Sequence, residues 1–378
     1  MLVLASACAK VNAPEEIPLP ETAPAVPLDG VARLLSAIPL GESQLREVAD
    51  AVNSSIGNGY DEEYTMRQLF SCPGAGVGDE PTKAAGSYET PLRDLIASAV
   101  RSSTKAADNY GDPEEYLAAL SSSDLQIYWP FADLWDGESA PVISFDPGDG
   151  NDVNTGYLMN ADGSVQELLV DEEMARTRPV WVVNRNSDAE YLSLELLRRQ
   201  DPSWGSGGGE IVVRPKATST KDFKTLVVKS LIVNRQLDNW FCGGAEMVFK
   251  AGSVEDFRAS TEAELKLYQP SITDFMVVVK RSQVGIAQPL NVVMVSEWTE
   301  ALESCAFMLV EDDGGTQTKW KCSAVVKYNS KSYGFEMELP LNVRDDIIWR
   351  GQLSRKYFEK YSGKYTSLGD VGVVFELI

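Results

Sequence analysis

The sequence predicts an α+β chain with a helical N-terminal segment, a β-rich continuation and an all-β C-terminal half built as a two-sheet sandwich. Three observations lead there. Apolar residues recur at helical spacing over residues 29–121. They switch to strand-like alternation over 125–200. After residue 210 they fall almost wholly into short runs without a long helical stripe. With 378 residues, 44% of them hydrophobic, the chain can hold two or three packed domains. Gly205-Ser206-Gly207-Gly208-Gly209 marks the boundary between a 29–204 domain and a 210–378 domain, preceded by a separate 1–28 segment.

The helices come first. Val31, Leu34, Leu35 and Ile38 form one stripe; Leu45, Val48 and Val52 form another, ended by Gly57-Asn58-Gly59. Asp61, Glu62 and Glu63 are acids suited to a helix N-terminus, with Met66, Leu69 and Phe70 following. Thr90-Pro91 reads as a cap with proline at the first helical position. Asp112-Pro113-Glu114-Glu115 repeats that device, with Glu115 placed for a capping box. Such short amphipathic helices need a partner surface, and the downstream β material supplies one.

The strands follow. Leu125, Ile127 and Trp129 alternate, Pro141–Phe145 is a further strand, and Tyr157–Val170 reads as a hairpin turning at Asp162-Gly163. Val180–Val183 reads as a buried strand, while Leu192–Arg199 fits either a strand or a short helix. Beyond the boundary, strand-like runs lie at 210–214, 224–234, 245–250, 264–269, 275–281, 291–298, 305–312, 316–328, 333–340, 346–350 and 371–377.

The runs from Cys305 to Cys322 read as one hairpin. A type I′ turn at Asp313-Gly314 pairs Leu309 with Thr318, Phe307 with Trp320 and Cys305 with Cys322. The cysteines then share a non-hydrogen-bonded pair, where side chains come closest. The expectation is a Cys305–Cys322 disulfide worth roughly 3 kcal/mol.

Composition removes whole classes of chemistry. The net charge is −22; residues 1–200 carry 13 basic and 33 acidic side chains, residues 201–378 carry 21 and 23. An acidic surface without a basic patch repels phosphate backbones, so nucleic acid is not expected as a partner. The chain has no histidine. That excludes Ser-His-Asp and Cys-His catalysis, histidine-ligated zinc and a histidine general base. Carboxylate chemistry, Ser-Lys chemistry and oxygen-ligated calcium remain. Cys8, Cys72, Cys242, Cys305 and Cys322 show no CxxC spacing, which argues against zinc and iron–sulfur sites.

The candidate sites are few. Asp146, Asp149, Asn151 and Asp152 crowd oxygen ligands onto a glycine-rich loop, as calcium requires; a polar turn needs the same residues. Asp312 and Asp313 sit at a loop tip, as calcium ligands do in sandwiches such as C2 domains, but turn geometry alone accounts for them. Glu62-Glu63 and Glu172-Glu173 are adjacent pairs whose side chains diverge, so they read as solvated acidic surface rather than paired hydrolytic acids. Ser102 and Lys105 match an S-x-x-K spacing without its companion motifs. Trp240 and Phe241, beside Gly243-Gly244, are placed either to stack on a ligand or to cap the sandwich core.

Residues 1–8, MLVLASAC, are an apolar run ending in Ala5-Ser6-Ala7-Cys8. This stretch resembles the end of a bacterial lipoprotein signal, although Ala5 stands where that signal usually has leucine and no basic stretch precedes the run. The resemblance implies lipidation of Cys8, export and a membrane anchor at the cell envelope. Residues 9–28 are rich in Pro, Ala and Glu, a composition that prevents helix and suits an extended tether. No later apolar run is long enough to span a bilayer.

The expectation is a non-catalytic binding or structural module of the cell envelope, lipid-anchored, with an envelope glycan or protein as ligand. The alternative is a carboxylate-dependent hydrolase, calcium-assisted, acting on polysaccharide or peptide. It requires two acids converging in a cleft between the domains.

Overall fold

A computed structural model of the chain describes residues 26–71, 88–102, 112–186, 191–206 and 223–378. The apolar stripes become α1 (Leu28–Ser36) and α2 (Glu42–Gly57), burying Val31, Leu35, Leu45, Val48 and Val52. Asp61–Glu63 do not open a helix. Glu63 begins β1 (Glu63–Thr65), which pairs antiparallel with β2 (Leu125–Tyr128), and all three acids are buried. The helix that follows, α3 (Met66–Phe70), starts one turn later. Thr65 caps it, accepting from the Gln68 N–H at 3.2 Å while the Gln68 side chain accepts from Thr65 N–H. After α4 (Leu92–Ser102) comes α5 (Pro113–Ser122), capped by the Asp112 carboxylate on the Glu114 N–H.

The helices cover a six-stranded sheet. Its further strands are β3 (Val142–Phe145), β4 (Val153–Met159), β5 (Val165–Asp171) and β6 (Val180–Arg185), in the order β1-β2-β6-β3-β4-β5. Among the described strands of this sheet, only β3 and β6 pair in parallel. The β4–β5 hairpin turns at Asp162-Gly163, where Gly163 takes φ 83°. Short helices follow β5 and β6: α6 (Glu172–Thr177) and α7 (Leu194–Gln200). Ser193 caps the latter, which settles the Leu192–Arg199 stretch as helix.

The C-terminal half is two antiparallel sheets packed face to face. One holds β7 (Phe223–Val233), β10 (Gln288–Thr299), β15 (Lys364–Leu368) and β16 (Val371–Leu377) in the order β10-β7-β16-β15. The other holds β8 (Ala245–Ser253), β9 (Ser271–Val279), β11 (Leu302–Glu311), β12 (Gln317–Tyr328) and β13 (Lys331–Asn342) in the order β13-β12-β11-β8-β9, with β14 (Asp346–Ser354) also on β11. Phe307 sits at the centre, edge-on to Phe249 and Phe375, and Phe358 of α9 (Arg355–Tyr361) closes one end. The 264–269 run is not a strand. Thr261 caps a one-turn helix, α8 (Glu262–Leu265), before it. The 210–214 run and Gly207–Gly209 lie outside the described residues.

The Cys305–Cys322 hairpin is overturned. β12 touches β11 only at Leu302↔Val326 and Ser304↔Val325, then forks away. β14 takes its place along residues 304–311, so Cys305 faces Leu353 and Cys322 faces Met337 on β13. Both thiols are free. The cause lies in the turn. The buried Asp312 carboxylate accepts from the Gly314 N–H at 3.0 Å and the Asn342 amide at 2.9 Å, tying a wider loop in which Gly314 and Gly315, not Asp313, take positive φ. The two-residue type I′ signature appears one hairpin later, at Asn329 (φ 47°) and Ser330 (φ 64°) between β12 and β13.

The two halves meet over a built joint. Trp240 and Phe241, on the β7–β8 connection, insert among Tyr128, Val142 and Val182 of the first sheet. Asn184 donates to the carbonyls of Phe241 and Cys242 at 2.9 and 3.0 Å, and the Asp61 carboxylate accepts from Gly244 N–H at 2.8 Å. Gly243 (φ 136°) is needed there, because a Cβ would collide with that carboxylate. Among the described residues, no helix is long and apolar enough to cross a membrane.

Candidate functional site

A cleft of about 570 Å³ opens at this joint. Asp124, Asp146, Asn184 and Arg185 come from the first half; Asp238, Glu246, Asp312, Asp313, Asn342 and Arg344 come from the second. Its position follows from the fold. Asp238 precedes the Trp240 insertion, and Glu311 ends the central strand β11, where an acid interrupts an otherwise apolar run.

Three carboxylates converge here. One oxygen each from Asp238, Glu311 and Asp313 lies within 4.8 Å of the other two. Burial first, then a hydrogen bond shared with Asp238, pushes the Glu311 carboxyl far above the usual carboxylate range. Asp238 is also raised, mainly by burial. Burial and then the charges of Asp238, Asp346 and Asp312 push Asp313 up to about 7, with Arg344 opposing. Burial, followed by the charges of Asp146, Asp238, Asp313 and Glu311, holds Cys242 at about 12, so it remains a thiol.

Arg67, Arg185 and Arg344 bring donors to the cleft, yet acceptors buried in its wall lack partners. Asn184 is 1% exposed and Asn342 3% exposed, and both line the cleft. Their amide nitrogens are engaged, but their Oδ1 atoms meet no hydrogen-bond donor among the described residues. Asp312 and Asp345 form a second close acid pair next to Asn342. Burial, then that shared contact, raises Asp345. Every unmatched buried side-chain atom lining the cleft is an acceptor.

A second acidic group lies deeper in the joint and has its own cations. Glu62 pairs with Lys280 at 3.7 Å, and burial raises its carboxyl, with Asp61 adding to the effect. Arg281 donates to both Glu172 oxygens at 3.2 Å and to the carbonyls of Asp238 and Gly243. This network ties α6 to the sandwich and offers no open face.

The sequence candidates distribute unevenly. Of the 146–152 loop, Asp146 lines the cleft. Asp146 caps the Gly148 N–H, Asp149 closes on Asn151, and the carbonyls of Asn151 and Asp152 accept from Asn239 and Trp240. These bonds are the polar turns that one of the two readings of the loop requires. Trp240 and Phe241 are 1% and 0% exposed, so they pack the joint and present no stacking face. Glu62 and Glu63 are buried, not solvated. Ser102 donates to the Ser98 carbonyl, and Lys105 lies outside the described residues, as do Cys8 and Cys72. Asp238 and Glu311 were not singled out by sequence reading. The available signals were an acid at the end of a buried apolar strand and another just before a buried aromatic pair.

No family model matches the chain, and neither does any curated protein or solved structure.

Proposed function

We propose that the chain is a non-catalytic binding module of the cell envelope, held through Cys8 and the proline-rich segment, with the cleft at the joint as its ligand site. The observation that carries this reading is the set of buried acceptors without partners in the cleft wall. Asn184 and Asn342 are buried with unmatched oxygens beside a carboxylate cluster, and an unmatched buried polar group costs about 1–3 kcal/mol. A ligand that brings hydroxyl donors or positive charge recovers that cost, and an envelope glycan is such a ligand. Burial, not spacing, speaks against the hydrolase alternative. Paired glycosidic acids stand about 5–5.5 Å apart when one is a nucleophile and about 6.5–9.5 Å apart when a water fits between. Here the nearest oxygens of three carboxylates lie within 4.8 Å of one another, which the shorter spacing allows, but Glu311 is 1% exposed and hydrogen-bonded to Asp238, away from any substrate bond.

The test is a glycan array probed with the full chain, alongside assays for release of reducing ends. Retention of neutral or amino-bearing glycans without cleavage is the expected result, weakened about tenfold by Asn342→Leu. Turnover of any retained glycan restores the hydrolase reading.

A further inference from the structure

We propose that Asp238, Glu311 and Asp313 form a binding site for a divalent cation of the calcium type in the cleft at the joint. The inference deepens the binding-module reading, and rests on it, by giving the site an ion through which ligand oxygens can be held.

Geometry admits a calcium-sized ion. Two oxygens that share one calcium at about 2.3–2.6 Å can be at most about 5 Å apart. The three carboxylate oxygens all fall within 4.8 Å, inside that limit. Magnesium demands a near-ideal octahedron and usually keeps several waters with one or two carboxylates, whereas calcium accepts a larger, irregular set of oxygens such as this one. The donor set is oxygen throughout. The chain has no histidine to offer a softer metal.

The carboxylates do not stand alone. The unmatched Oδ1 atoms of Asn184 and Asn342 line the same cleft from opposite sides of the joint, on side chains buried to 99% and 97%. A proton donor placed among these groups could satisfy one or two of them. A hard dication answers the carboxylates together and lowers the potential at all the neighbouring oxygens. Asp146, on the lining of the same cleft, adds a further negative charge to it. Arg344 and Arg281 already offset part of the negative charge, which favours one ion over two.

The experiment is isothermal titration of the full chain, stripped with EDTA, using calcium chloride alone and then magnesium chloride. Uptake of one calcium per chain with Kd between about 10⁻⁵ and 10⁻³ M, and weaker magnesium, is expected. Asp238→Asn and Asp313→Asn should each weaken uptake about tenfold while the far-ultraviolet circular dichroism stays unchanged. Asp149→Asn should leave uptake as it was. Absence of heat and of any melting shift at about 10 mM calcium overturns the site. Loss of uptake in Asp149→Asn but not in Asp313→Asn also overturns it, by moving the ion onto the 146–152 loop. The two readings separate on the glycan array. Calcium uptake without glycan retention supports the ion site and removes the glycan ligand; retention that persists in EDTA, without calcium uptake, does the reverse.

Discussion

Trp240 shows how far a side chain's surroundings, rather than its type, decide its role. Its indole N–H donates to the Asp152 carbonyl at 2.9 Å, and its ring lies against Phe241 with centroids 3.9 Å apart. A stacking platform must keep one face open, and this one has none. Trp240→Ala should therefore cost about 3–5 kcal/mol of stability, measured by urea unfolding, through the cavity left in the joint. An exposed ligand-stacking tryptophan would lose almost nothing in that assay. The cysteines make the opposite point. Cys305 lies opposite Leu353 and Cys322 opposite Met337, so reductant should change the melting temperature equally in Cys322→Ser and in the parent chain; a fall confined to the parent would require a Cys305–Cys322 bridge, which the strand register forbids.

At the scale of elements, hairpins are governed by their turns. Ser330 occupies the second position of a type I′ turn at φ 64°, a conformation that costs a side chain about 1–2 kcal/mol and glycine nothing. Ser330→Gly should gain about 0.5 kcal/mol after the larger unfolded-state entropy of glycine is subtracted, visible as a higher urea midpoint. The same logic explains what the sequence could and could not show. Stripes such as Val31-Leu34-Leu35 and alternations such as Leu125-Ile127 depend on one face meeting one core, so local spacing reveals them. The sandwich was legible for the same reason. The β11–β12 fork was not, because it turns on Asp312 accepting from Asn342, thirty residues away. The candidate site was hidden similarly. Asp238 stands on the β7–β8 connection and Glu311 at the end of β11, and the insertion of Trp240 and Phe241 into the first sheet brings the former stretch to the cleft. Asp313 was legible as a loop-tip acid, but not as one member of a cluster.

For the whole molecule, the buried acids fix how stability follows pH. Asp313 rises to about 7 from an ordinary 3.8, and Glu311, Asp61, Glu62, Asp345 and Glu47 are all shifted upward, burial being the first cause in each. The folded chain thus holds protons that the unfolded chain has already released. By linkage, this contribution is fully present below the ordinary carboxylate range and is lost as pH rises through the raised values. Carboxyls shifted downward, such as Glu172 beside Arg281, act only at more acidic pH and do not oppose the trend near neutrality. The net charge of −22 adds self-repulsion of the same sign. In EDTA, the melting temperature should fall between about pH 5 and about pH 8, and Asp313→Asn should flatten part of that slope. Calcium competes with those protons, so its stabilising effect should grow over the same interval. A melting temperature that rises from pH 5 to pH 8 in EDTA would mean that the acids at the joint are ionised and paired in the folded chain, leaving the cleft without the excess of negative charge that makes it a cation site.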